Sequence, residues 1–177
     1  MEKREKEMDT KATIQSQYHA ALDMLEEAIR ACPDDLWTDA SYTNAFWQVA
    51  YHALFYTHLY LHDRLESFRP WSKGRENYEI LGTLPWPPHD KPEIGEPYTQ
   101  AEVLEYLVFC RQQVDAWVPA LDLDAPSGFE WLPFDKLEHQ LYNIRHTQHH
   151  TGQLAERLRS RVETGIRWVA HHPPATG

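Results

Sequence analysis

Cysteine is almost absent from this chain: two residues in 177, Cys32 and Cys110. They stand far apart and in no CxxC, which excludes a disulfide framework and suits a reducing, cytoplasmic compartment. Positive charge is scarce as well, with 17 Lys and Arg against 27 Asp and Glu and a formal net charge of −10. The few basic residues are scattered, so no concentrated face is available for nucleic-acid phosphates or an anionic membrane surface. The charged start, MEKREKEMDT, leads into no apolar run, and no secretory leader is expected. One long uncharged stretch exists, AFWQVAYHALFYTHLYL at 45–61, but it is at the lower limit for a bilayer span and contains Gln48, His52 and His58. A buried, aromatic-rich helix is the better expectation. Several catalytic signatures are missing too. There is no ExxH of a di-iron bundle, no GxSxG, no Walker loop and no dinucleotide fingerprint. Thr147 follows His146 where a zincin HExxH would need Glu.

What is present reads as helix. Hydrophobic residues make up 42% and charged residues 25%, ordinary for a globular protein, and the length suits one domain, 1–177. Ile14, Tyr18, Leu22, Leu25, Ile29 and Cys32 form a helical stripe that Pro33 closes. A second helix is expected over roughly 42–66, apolar nearly all round. A third opens at Thr99, with Glu102 completing a capping box, and a fourth opens at Asp135 and runs to about Gly165. Convincing strands are absent, so the fold class expected is all-α, a four-helix bundle. Residues 68–98 are too long for a simple turn and suit an overhand crossing between parallel neighbours, helices two and three. Trp71, Tyr78 and Trp86 suggest that this crossing packs down on the bundle. The tail HHPPATG is expected to fray.

The segment RHTQHHTGQL concentrates histidine. His146 and His150 stand four apart, on one helical face, where two imidazoles can converge on one metal. His149 is rotated about 100° from His150 and is the poorer partner. The pair alone reads more readily as a solvated surface, and Leu137, Leu141, Ile144, Ala155 and Val162 strengthen that reading by marking an apolar stripe nearly opposite. Ligation therefore requires both sides of the helix to be covered, by the bundle and by loops or a second subunit. His52 lies mid-helix with no charged neighbour, and a buried imidazole must satisfy both nitrogens. It is either a core histidine bonded to Gln48 or Tyr56, or a third nitrogen for the HxxxH pair. His58 and His62 form a second HxxxH beside Asp63, Arg64 and Glu66, where a solvated face is expected.

The helix-two stretch, followed by LYNIRHTQHHTGQL, resembles the DinB-like (DinB/YfiT) superfamily over roughly residues 10–165. The resemblance implies an up-down-down-up bundle and a divalent metal, zinc or nickel, held by His52, His146 and His150. It further implies a homodimer and a small-molecule substrate, with hydrolysis or thiol transfer as the reaction and a low-molecular-weight thiol as candidate cosubstrate. Relatives of that kind include mycothiol-dependent maleylpyruvate isomerase and bacillithiol transferases. Gln48, Tyr56, His139 and Asn143 are expected in the pocket or behind the ligands. Many members carry Arg after the last ligand, where this chain has Thr151. The alternative is a non-catalytic metal-binding or stress-response interaction module.

Overall fold

The computed structural model describes residues 9–172, and over that range the chain is helical with no strand. The helices are α1 (Thr10–Ala31), the short α2 (Asp34–Trp37), α3 (Phe46–Leu59), α4 (Gln100–Trp117) and α5 (Lys136–Val162). Their ends follow from local chemistry. The Asp9 carboxylate accepts from the Ala12 amide at the start of α1, and Pro33 forces Cys32 into an extended conformation that ends it. Thr99 and Glu102 form the expected reciprocal capping box on α4. Asp135 caps α5 by accepting from the Glu138 amide. At the other end of α5, Glu163 (φ 53°) takes the left-handed position, two residues before the expected Gly165.

Helix α3 is shorter than the expected 42–66. Its start is set by Ala45 in an extended conformation, with Tyr42 drawn away beneath the Arg157 guanidinium at 4.3 Å. Its end is set by tight turns in which the amides of Leu61 and His62 bond three residues back. The buried Lys136 ammonium then takes the carbonyls of His62 and Asp63, each at 3.2 Å, so those oxygens cannot propagate the helix. The short α2 was not foreseen, because a single turn leaves no periodicity to read.

Side-chain pairs fix the relative directions of the long helices. Tyr18 donates to Gln140 and, further along both helices, Met24 meets Gln148, so α1 and α5 run the same way. Arg111 pairs with Asp23 and Gln100 with the Cys32 carbonyl, so α4 runs against α1. Thr57 bonds Thr147 while Gln140 reaches the Tyr60 carbonyl, which sets α3 against α5. Tyr51 stacks on Tyr98, the Cys110 thiol reaches the Leu54 carbonyl, and His62 packs on Trp117, so α3 and α4 are parallel. Residues 68–98 therefore have to return along the length of the pair. They pack down as expected at Trp71, stacked on Tyr106 at 4.6 Å, and at Tyr78, set between Trp47 and Tyr98. Trp86 departs from that expectation and is exposed. The C-terminal stretch also differs from a frayed tail as far as it is described. The His172 imidazole lies 3.0 Å from Asp23, and its carbonyl accepts from Ser16; residues 173–177 lie outside the described range.

Candidate metal centre

Antiparallel packing of α3 against α5 brings His52 opposite His146 and His150, which lie one turn apart on the inner face of α5. The Nε2 atom of His146 stands 3.1 Å from that of His52 and 3.2 Å from that of His150. One nitrogen from each ring lies within 4.8 Å of the others, the one such metal-ligating cluster among the described residues. Two nitrogens bonded at about 2.1 Å to one ion, at angles between octahedral and tetrahedral, stand about 3.0–3.4 Å apart. Both observed separations fall in that interval.

The outer nitrogens explain why the inner ones converge. A carbonyl oxygen can only accept, so the Glu79 carbonyl, 2.5 Å from His52 Nδ1, places the proton there and leaves the Nε2 lone pair facing inward. His150 Nδ1 donates likewise to Gln153 Oε1 at 2.8 Å. The Gln153 amide nitrogen lies 3.2 Å from His149 Nε2, which is consistent with that orientation. His146 Nδ1 is buried with no protein partner. No protein acceptor fixes the His146 tautomer, and its Nε2 stands within hydrogen-bond distance of the inward Nε2 atoms of both His52 and His150. Burial depresses the pKa of His52 to about 4 and that of His146 to about 3, the neighbouring imidazoles pushing the same way; His150 shifts downward for the same leading reason. The rings therefore stay neutral at ordinary pH. That is the form that ligates a metal. The three imidazoles could together hold a metal ion.

The other residues singled out in the sequence are distributed as follows. Tyr56 lies at the cluster, its ring 4.8 Å from His52 and 5.3 Å from His146. Gln48, one turn before His52, donates to the Ile80 carbonyl at 3.2 Å. Asn143 is buried a turn below His146 and donates to the Tyr18 hydroxyl and the Thr57 carbonyl. His139 is 0% exposed and boxed by Tyr60, Phe129 and Phe134, with neither ring nitrogen partnered within the protein. His149 is exposed, with its ring set edge-on to His150 at 5.0 Å and its Nε2 beside the Gln153 amide. The second HxxxH pair is a correction: His58 and His62 are buried, not solvated. Phe68 covers both rings, Phe109 packs on His58 and Trp117 on His62, and the Tyr106 hydroxyl bonds His58. The charged residues that suggested solvent lie past the end of α3, where the chain has already turned. Two participants were missed, Glu79 and Gln153. The spacing of Gln153 three residues after His150 was a readable signal, whereas a backbone acceptor such as the Glu79 carbonyl leaves none.

A family model described as the DinB superfamily matches residues 17–154, a span that includes all three histidines. No curated protein matches the chain. Among the described residues no helix is long and apolar enough to cross a membrane.

Proposed function

This chain belongs to the DinB superfamily, and we propose that it is a metal-dependent enzyme in which His52, His146 and His150 hold one divalent ion, zinc or nickel. The observation that carries this reading is the convergence of three inward Nε2 atoms, two of them fixed by acceptors on the far side of the ring. Three protein ligands leave coordination positions open, whereas structural zinc sites are closed by four. When bound, such an ion supplies Lewis acidity and depresses the pKa of a water or thiol in contact with it. The chain's own groups orient and shape the site. Glu79 and Gln153 hold the ligand rings, and the half-buried rings of Tyr56 and Tyr142 flank His146 as aromatic walls for a small molecule. The reaction proposed is hydrolysis or thiol transfer with a low-molecular-weight thiol as cosubstrate. The helix directions support an up-down-down-up four-helix bundle forming one domain with its core at about 10–165. Both cysteines are free and buried, which suits a reducing, cytoplasmic setting.

Metal analysis after loading with zinc or nickel should give one ion per chain, lost in His52→Ala, His146→Ala and His150→Ala and kept in His149→Ala. Loaded protein is then screened with low-molecular-weight thiols and electrophiles. One bound ion without turnover of any pair would favour the non-catalytic metal-binding module. A homodimer is proposed through the groove between α1 and α5, where Ile14, Leu141 and Ile144 line an apolar surface and Leu141 is 57% exposed. Sedimentation as a monomer at micromolar concentration would reject it.

A further inference from the structure

Resting on the three-histidine reading above, we propose that residues 76–80 of the crossing form a metal-responsive strap: occupancy of the centre and docking of this segment are energetically linked through His52. Two side chains one turn apart on α3, Gln48 and His52, reach two consecutive carbonyls of the strap, those of Ile80 and Glu79. The strap has no regular secondary structure to hold those carbonyls in place. Its shape comes from a tight turn, with Asn77 in the left-handed region (φ 65°) and the Ile80 amide bonded to the Asn77 carbonyl at 3.1 Å. It is pinned by Tyr78, whose ring packs between Trp47 and Tyr98 and whose hydroxyl donates to the Glu96 carbonyl.

A cation on Nε2 withdraws electron density from the imidazole and makes the opposite Nδ1–H a stronger donor. The bond from His52 to Glu79 therefore strengthens on loading and holds the strap more firmly. Linkage is reciprocal, so a strap that lifts away leaves His52 free to rotate and weakens metal binding by the same factor. Glu79 thus acts as a positioning residue through its carbonyl, and Gln48 and Tyr78 act through the strap.

Hydrogen exchange of the wild-type protein, with zinc and with chelator, reads the linkage directly. Zinc should slow exchange of the Tyr78 and Ile80 amides several-fold and leave peptides from 122–134 unchanged. Competition against a chromophoric chelator should show zinc affinity about ten-fold weaker in Gln48→Leu and Tyr78→Ala. If Tyr78→Ala does not fold, Gln48→Leu and the wild-type exchange decide. Zinc bound at wild-type strength by Gln48→Leu, or bound by the wild type with no protection of the strap, overturns the linkage and leaves the metal centre standing. No zinc binding at all overturns the three-histidine reading, and the strap proposal with it.

Discussion

Acid should unfold the metal-free protein well above the pH at which its carboxylates are exhausted, because two imidazoles remote from the metal centre are sealed in the neutral state. His58, 1% exposed, has its pKa lowered to about 3 by burial, with His62 adding to the shift. His139 is lowered to about 3 by burial, with the Lys136 ammonium adding to it. In the unfolded chain both titrate near 6.5. The folded pKa is depressed, so the stability they contribute is complete above about pH 6.5 and is lost as pH falls toward 3. Within that window the unfolded state binds one more proton per histidine, and stability falls by about 1.4 kcal/mol per pH unit for each. From pH 7 to 4.5 the two together remove on the order of 5 kcal/mol, comparable with the whole stability of a modest domain. Urea unfolding in chelator across that range measures the slope. His139→Phe keeps the ring volume and removes one titrating group, so it should flatten the slope by about 1.4 kcal/mol per unit below pH 6. An unchanged slope would mean that His139 is not held neutral by its aromatic box, and the argument from burial would be wrong.

Other perturbations have equally direct outcomes. Zinc at a hundred-fold excess over its dissociation constant should stabilise by about 2.7 kcal/mol, a rise in Tm of roughly 5–10 °C by calorimetry, absent in His146→Ala and preserved in His149→Ala. Lys136→Met should cost about 3–5 kcal/mol in denaturant unfolding, because it strips the ammonium from the carbonyls of Ser127, His62 and Asp63. Gly128→Ala should be at least as damaging: the residue sits at φ 81°, and an added Cβ would fall 1.7 Å from the Asp63 carbonyl oxygen. Failure of that variant to lose stability would show that the 126–135 loop can move away from Asp63, in the turn that follows α3.

The parts of the site that were legible are those written in spacing and residue type. His146 and His150 announce themselves by a four-residue interval, His52 by lying in an uncharged helix, and Thr99 and Asp135 by their positions ahead of a Glu. The illegible parts depend on long-range meetings. Whether His58 and His62 face water turns on Phe68, Phe109 and Trp117, which lie on other elements, and on α3 ending at Leu59. The apolar stripe opposite His146 weakened the ligand reading only while α5 was considered alone. In the fold α1 and α3 cover different faces of α5, so the helix turns histidines inward on one side and packs the partly buried Ile144 and Leu137 against the core on another.

Convergence of three imidazoles from two helices also requires the helices to keep one register, and the residues that enforce it are threonines. Thr57 Oγ1 lies 2.7 Å from Thr147 Oγ1, directly across the interface. One of the two hydroxyls donates across the interface, and the other donates to the carbonyl four residues back on its own helix, Ala53 for Thr57 or Asn143 for Thr147; Thr151 repeats the intrahelical pattern to the Thr147 carbonyl. Small β-branched side chains, restricted at χ1, let the backbones approach closely and carry little freedom to lose. Asn143 adds a second tie, from its amide to the Thr57 carbonyl. A slip of one residue along α5 would turn His146 through about 100° and break these bonds together. The polar seam of the α3–α5 interface thus acts as the ruler for the three-histidine cluster. The flanking hydrophobic core supplies cohesion but, lacking direction, cannot by itself choose between neighbouring registers.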